Sequence, residues 1–342
     1  MPNEVVSRAI DAVCAGDHLT ADHASAVLTE IMEGRTDPVQ TGAFLIALRA
    51  KGETADEVRG FARAMRELAV HPDIPEGTPT VDTVGTGGDS HGTFNVSTCA
   101  ALVAAGAGAK VAKHGNRSVS SKSGASDVLG ALGVKLDITP ETVARCIDEA
   151  GVGFMWAPMH HAAMKHWAPV RAELGIRTIF NVLGPICNPA NVRRQIVGVY
   201  ARELIEPIAN VLKNLGAEHV WVVHGHDGMD ELTTTGSTSV AELKNGEIRV
   251  FEITPADAGL QPARLSDLVG GDAEVNAAAI RRVLAGEHGP FRDIVVLNAG
   301  AALVVAGLAE SLEAGVAKAA AAIDSGAARA ALERLIEVSN AG

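Results

Sequence analysis

The chain is poor in aromatic residues, cysteine and basic charge. Aromatics make up 3% of 342 residues, and Tyr200 is the sole tyrosine, so the core must be built from Ala, Val, Leu and Ile. Lys and Arg number 29 against 41 Asp and Glu, a formal net charge of −12. This balance argues against a general affinity for nucleic acid or an anionic membrane, which needs a basic surface. It leaves room for an anionic substrate, because a few Lys and Arg can dominate one cleft. The four cysteines, Cys14, Cys99, Cys146 and Cys187, form no Cys-x-x-Cys, which excludes a structural zinc site of that kind or a thioredoxin-like pair. Scattered as they are, they read as buried thiols in a reducing compartment. Long apolar runs are missing too: Ile294–Leu308 is interrupted and too short to span a bilayer. The start, Met1-Pro2-Asn3-Glu4, lacks the basic and apolar regions of a signal peptide. The expectation is a cytoplasmic protein without membrane or nucleic-acid partners.

What is present is ordinary globular composition, 47% hydrophobic and 20% charged, at about two domains' length on a prior of roughly 150 residues each. The first seventy residues read as helices. Thr20 opens an amphipathic stretch with Ala24, Leu28, Ile31 and Met32 at helical spacing. Thr54-Ala55-Asp56-Glu57 is a capping box ahead of Phe61, Met65 and Leu68. The proline-rich segment His71–Pro79 is the best domain boundary, dividing a helical part, 1–72, from 73–342. Beyond it, strands at Thr80–Val84, Lys110–Lys113 and Gly153–Trp156 alternate with helices at Ser97–Gly106, around Asp127–Leu132 and at Thr142–Ala150. A further strand–helix–strand unit spans Ile196–Tyr200, Glu203–Leu215 and His219–His224. Such alternation predicts an α/β part with a mostly parallel central sheet. Thr233–Ile253, around the Asn245-Gly246 turn, predicts an antiparallel hairpin, and the alanine-rich tail from Asp272 is helical.

Three segments carry chemistry. Asp82-Thr-Val-Gly85-Thr-Gly87-Gly88-Asp89 follows a strand and leads to Asn95-Val96-Ser97-Thr98, which opens a helix. Glycines let backbone N–H groups approach an anion, and the helix N-terminus adds a favourable dipole. The third glycine position of a dinucleotide fingerprint holds Ser90, and no Gly-Lys-Ser/Thr follows, so neither a Rossmann fingerprint nor a P-loop is present. Alone, this segment could be an ordinary strand-to-helix turn. Lys113-His114-Gly115-Asn116-Arg117-Ser118-Val119-Ser120-Ser121 then supplies two cations, an amide and three hydroxyls, suited to a phosphate. A solvated polar loop would look the same. Two such loops on successive strand ends favour a site, because α/β sites gather at the carboxyl ends of parallel strands. Asp230-Glu231, in His224-Gly-His-Asp-Gly-Met-Asp-Glu231, follows another strand and suits Mg²⁺, which prefers oxygen ligands. The competing reading is an acidic turn, and His224 and His226 read as structural or solvent-facing. Arg171, by itself, reads as a helix-surface cation, although an arginine can grip a carboxylate.

Together these segments closely resemble the anthranilate phosphoribosyltransferase family. Asp82–Asp89, Asn95–Thr98, Lys113–Ser118, Arg171, Asn181-Val-Leu-Gly-Pro185 and Asp230-Glu231 all occur in family order, and the match spans essentially the whole chain. The resemblance implies a small all-helical N-terminal domain, joined by helices from about 165–190, packed on the large α/β domain, and a homodimer. It implies that phosphoribosyl pyrophosphate is bound by Gly85, Gly88, Asp89, Thr93, Asn95, Val96, Ser97, Thr98 and the run Lys113, His114, Gly115, Asn116, Arg117, Ser118, Val119, Ser120, Ser121. Ala125 stands where many relatives have a serine, so only a backbone contact is expected there. By the same resemblance, Ser97, Asp230 and Glu231 would hold magnesium, two ions per monomer. Gly85, Asn116 and Arg171 would contact anthranilate, with His114 and His161 along its access route.

The implied chemistry suits these residue types. Displacing pyrophosphate from a ribose carbon needs stabilisation of a highly charged leaving group by metal, lysine and backbone amides. No protein nucleophile is expected, and the aromatic amine needs positioning more than a strong base. Two other readings share the architecture: a pyrimidine nucleoside phosphorylase-like enzyme, and a nucleic-acid-binding relative without enzymatic activity. The Asp230-Glu231 pair disfavours the first and the net charge disfavours the second.

Overall fold

Four helices come first, each started by a cap. The computed structural model describes residues 2–75, 77–87, 92–117 and 122–341. Asn3 caps α1 (Glu4–Cys14), Thr20 caps α2 (Ala21–Met32), and Asp37 with Pro38 starts α3 (Pro38–Lys51). The Thr54/Glu57 capping box opens α4 (Ala55–Glu67). Glu57 is wholly buried, and it also accepts from Leu19 N at 2.9 Å and pairs with Lys51 at 3.0 Å, so one side chain ties three helices' ends together.

After the prolines the chain alternates as expected. β1 (Thr80–Gly85), α5 (Val96–Gly106), β2 (Lys110–Gly115), α6 (Ala125–Ala131), α7 (Pro140–Ala150) and β3 (Val152–Trp156) build one half of a sheet. Next, α8 (Ala157–His160), α9 (Ala168–Leu174) and α10 (Phe180–Ile186) return to the helical part, where Trp167 stacks on Phe180 at 3.6 Å. The other half comprises β4 (Arg194–Gly198), α11 (Ile205–Asn214), β5 (His219–Gly225), β6 (Thr238–Lys244) and β7 (Glu247–Ile253). The chain ends in α12 (Ala273–Leu284), α13 (Pro290–Val305), α14 (Leu312–Asp324) and α15 (Ala327–Asn340). Among the described residues, no helix is long and apolar enough to cross a membrane.

The sheet order is β3-β2-β1-β4-β5-β6-β7, with β3 to β5 parallel and β6–β7 an antiparallel hairpin. Strand order reverses between β1 and β4, the switch point at which α/β sheets open a crevice. Period-two alternation splits the core between the faces. Ile196, Trp221 and Val223 pack towards α5 and α13, while Val197, Val220, Val222 and Leu243 join the cluster that contains Phe44, Phe61 and Trp167.

Three expectations are corrected. β4 starts at Arg194 and ends at Gly198 instead of running from 196 to 200, because its first residues are polar; Gln195 is fully buried and donates to the Pro185 carbonyl at 3.3 Å. The hairpin starts at Thr238 rather than Thr233, since the Thr233 and Thr235 hydroxyls turn to Asp227 and make a loop. Cys14 is exposed, unlike the other three cysteines: the inward face of α1 carries Val6, Ala9 and Val13, and position 14 lies beyond it.

Candidate functional site

The glycine segment and the acidic pair meet at the β1/β4 switch point. Gly85 ends β1, and Gly198, its partner in register, ends β4. A Cβ at Gly85 would meet the Asp230 carboxylate, and one at Gly198 would overlap the Asp230 carbonyl. These two strand ends are glycine because the acidic loop lies directly on them. Asp230 Oδ2 accepts from Gly87 N at 2.7 Å and Thr86 Oγ1 at 3.3 Å, while Glu231 Oε1 accepts from Ser97 N at 3.1 Å in the first turn of α5. A small cavity, about 10 Å³, is bounded by Thr83, Val84, Ser97, Ile196, Gly198, Asp230, Glu231 and Asn298. Asp230 is itself 8% exposed. The donors gathered here are oxygens, the set that Mg²⁺ prefers. Among the described residues, no group of three or more His, Cys, Asp or Glu gathers to hold a metal, so the pair fits an ion that also takes hydroxyl, water and phosphate oxygens.

The second loop arrives on β2. Lys113 is buried, and its Nζ donates to the Thr83 carbonyl and to Ser97 Oγ at 3.3 Å. That places an ammonium, a helix N-terminus and two carboxylates around the same strand ends. Burial pushes the Lys113 pKa down, against Asp82 and Glu231, which push it up. Asn116 Oδ1 accepts from Arg117 N at 2.8 Å, and the Arg117 guanidinium lies 5.8 Å from the Trp156 ring centroid. Gly115 borders Phe154 and Ala125, where a Cβ would crowd the Phe154 ring. Thr93 pairs with Val269. Asn95 and Ser123 bond each other and Asn276. Val96 and Thr98 are buried in α5, and Thr98 Oγ1 finds no partner among the described residues. Gly88, Asp89, Ser118, Val119, Ser120 and Ser121 lie outside the described residues.

The third group lies at the seam between sheet and helices. His114 Nδ1 bonds the Gly184 carbonyl at 3.2 Å and His161 Nε2 the Cys187 carbonyl at 3.1 Å, with the rings edge-to-face at 5.2 Å. His114 Nε2 and His161 Nδ1 have no hydrogen-bond partner among the described residues. Burial holds both imidazoles neutral, His114 well below its usual value and His161 down to about 4. Arg171 sits on α9, half-buried, and burial alone lowers its pKa. Its guanidinium makes no ion pair among the described residues and no bond to Gly85, Asn116, His114 or His161.

Comparison with known proteins decides the family. Residues 77–329 match the glycosyl transferase family a/b domain and residues 7–69 its helical bundle domain. Anthranilate phosphoribosyltransferase of Rhodopseudomonas palustris (strain BisB5) is 57% identical over 330 residues, 96% of this chain and 97% of that protein. The crystal structure of anthranilate phosphoribosyltransferase from Thermus thermophilus superposes with a TM-score of 0.91 at 45% identity, covering 97% of this chain and 99% of that one. The Saccharomyces cerevisiae enzyme in complex with PRPP and Mg gives 0.90 at 29% identity, covering 98% of each. The chain belongs to the anthranilate phosphoribosyltransferase family.

Within that family frame, three buried asparagines that sequence reasoning missed hold the loops. Asn298, in α13, receives Leu232 N at 3.1 Å and donates to the Leu232 carbonyl at 2.8 Å, clamping the residue after Glu231. Asn276 donates to Asn95 Oδ1 at 2.8 Å and Ser123 Oγ at 2.9 Å. Asn188 donates to Asp82 and to the Ala112 carbonyl. Asn298 alone carried a signal, as the one polar residue between Ile294 and Leu308.

Proposed function

We propose that the chain transfers the phosphoribosyl group of 5-phosphoribosyl 1-pyrophosphate to the amino group of anthranilate, giving N-(5-phosphoribosyl)anthranilate and pyrophosphate in tryptophan biosynthesis. The observation that carries the reading is the convergence of Gly85–Gly87, the α5 N-terminus, Lys113 and Asp230-Glu231 on one switch point, in a chain of this family. The relatives' identity favours this activity over the phosphorylase-like and nucleic-acid-binding alternatives.

In this reading the glycine-rich loop with Asp89, Asn95–Thr98 and Lys113–Ser121 cradle the phosphates and ribose, with Thr93 and Ala125 at the edge. Backbone N–H groups and Lys113 are preorganised towards charge that grows on the leaving pyrophosphate. Ser97, Asp230 and Glu231 would hold magnesium, two ions per monomer, and the metal when bound supplies further neutralisation of that charge. Arg171 grips the anthranilate carboxylate, and Gly85 and Asn116 orient its ring and amine. His114 and His161, neutral and apolar-faced, border its path without adding a cation that would compete with Arg171. The amine attacks as the carbon–oxygen bond lengthens, and no side chain serves as a covalent nucleophile.

The reading includes a helical domain of residues 1–72 with helices from about 165–190, an α/β domain of 73–342, a cytoplasmic location and a homodimer. Val5, Val39 and Ile46 are 40%, 80% and 40% exposed on α1 and α3, and that surface is where we place the twin subunit. The activity test mixes the protein with anthranilate, phosphoribosyl pyrophosphate and Mg²⁺ and follows anthranilate loss with pyrophosphate release. Turnover with a nucleoside and inorganic phosphate instead would overturn it.

A further inference from the structure

The ladder between β1 and β2 stops early. Thr80 pairs with Lys110 and Val81 with Val111, whereas β1 follows β4 to Gly85 and β2 follows β3 to Gly115. The two strands part before their carboxyl ends, and backbone groups facing the opening need other partners. Val111 N is spent on Gly151 O towards β3, so by alternation Ala112 and His114 face β1. Three side chains take the orphaned groups. Asn188 Nδ2 donates to the Ala112 carbonyl at 2.9 Å, Asp82 Oδ1 accepts from His114 N at 3.4 Å, and Lys113 Nζ donates to the Thr83 carbonyl. Asn188 Nδ2 also donates to Asp82 Oδ2 at 2.7 Å.

Asp82 and Asn188 are 0% exposed and Lys113 is 3% exposed. A carboxylate is an expensive way to satisfy buried amides, since burying a charge costs far more than burying a neutral acceptor. Burial pushes the Asp82 carboxyl up to about 6 even with Lys113 and Asn188 opposing the rise. The position therefore does something that a neutral side chain would not do. Asp82 and Asn188 clamp the residues on either side of Lys113, which fixes where that side chain leaves β2, and the Asp82 carboxylate and the Lys113 ammonium each favour the other's charged form without forming an ion pair.

We propose that Asp82, held by Asn188, is a positioning residue that fixes Lys113 at the parting of β1 and β2 and so presents its ammonium to the pyrophosphate of the donor substrate. This rests on the reading of Lys113 as a pyrophosphate ligand. Asp82 itself touches no substrate in this scheme.

The test is a double-mutant cycle on the full chain, with Asp82→Asn, Lys113→Met and the pair, measuring KM and kcat for each substrate at saturating Mg²⁺ and the melting temperature. Asp82→Asn is expected to lower kcat/KM for phosphoribosyl pyrophosphate by about tenfold or more, the scale of a charge-assisted contact, and to leave KM for anthranilate within about twofold. The pair should lose no more than Lys113→Met alone, because coupled residues are not additive. Should Asp82→Asn fail to fold, Asn188→Ser keeps a donor in the opening and replaces it in the cycle. A Lys113→Met variant with parent-like use of phosphoribosyl pyrophosphate would overturn the ligand reading and this proposal together. A loss in Lys113→Met beside parent-like kinetics in Asp82→Asn, or losses that add fully, would overturn the positioning role alone. A lower melting temperature with unchanged constants for both substrates would assign Asp82 to structure only.

Discussion

Glu242 and Asp82 are both buried carboxylates in strands of one sheet, and their surroundings push them in opposite directions. Glu242, 2% exposed on β6, accepts from His219 Nε2 and Trp221 Nε1 at 2.9 Å each and from Arg249 Nε at 2.5 Å. Burial would raise its pKa, but bonds from Trp221, His219 and Arg249 outweigh burial and hold it below the usual carboxylate value. Asp82 has the Asn188 amide, the His114 and Thr83 backbone N–H groups and the charge of Lys113 in its favour, and burial still wins. The first carboxylate is satisfied where the β5–β6–β7 ladders are complete, seven register pairs on each side of β6. The second lies where the ladder parts beside the candidate site, and its bonds do not offset its burial. Saturated networks stabilise a fold, whereas perturbed groups collect where function requires them.

The largest effect is expected at the acidic pair. Changing Asp230→Asn and Glu231→Gln together is expected to preserve folding and cut turnover by about 10³-fold or more, since single stabilising groups are worth about 10²–10³ each. A magnesium titration of the double variant, with circular dichroism for folding, checks it; parent-like activity would show that the pair only decorates a turn. Activity recovered at much higher magnesium would support the metal reading. Glu242→Gln sharpens the other side. It keeps Oε1 for Trp221 and His219, which already share that oxygen, but removes the charge and turns an amide NH₂ towards Arg249 Nε in place of Oε2, so stability should fall by about 1–3 kcal/mol, with KM for both substrates unchanged. Denaturant unfolding beside steady-state kinetics separates the two, and a kinetic defect without loss of stability would contradict the structural assignment.

The helices and parallel strands were legible because caps, prolines and glycines punctuate them: Thr54/Glu57, Pro38 and Gly52 all end or start elements where the chain announces it. Strand limits failed where polar residues are buried, as at Arg194 and Gln195, because burial is a property of the neighbours. The segments that meet at the switch point were legible as segments because each is a contiguous run. Asn188, Asn276 and Asn298 were not, since their partners lie 76, 181 and 66 residues away. Gly198 is another such case: only the packing of Asp230 against it explains why it has no side chain.

Arg171 extends the contrast to the helical side of the seam. Its guanidinium lacks an ion-pair partner among the described residues, and burial lowers its pKa, a state that a substrate carboxylate would relieve. Arg171→Ala should weaken anthranilate use by about 10- to 150-fold, the equivalent of a charged hydrogen bond, and leave phosphoribosyl pyrophosphate binding nearly unchanged. Anthranilate saturation curves that coincide for parent and variant would end this assignment.

The smallest effect expected is a pH dependence at His161. Its ring is 1% exposed, and burial, with the nearby His160 and His71, holds the imidazole neutral down to about 4 against the Cys187 carbonyl bond, which favours the proton. Unfolded, the same side chain titrates near 6.5. Because the folded pKa is depressed, the unfolded chain binds more protons between these values, so stability is full above 6.5 and is lost as pH falls towards 4. Going from pH 7.5 to 6 the loss from this one group is about 1 kcal/mol. His161→Gln keeps a donor for the Cys187 carbonyl and removes the titration. Chemical unfolding of parent and variant at both pH values isolates the difference from the other histidines. The variant should lose about 1 kcal/mol less than the parent over that interval. Equal losses would mean that His161 is solvated in the folded state, and the picture of a dry, neutral imidazole pair at the seam would fall with it.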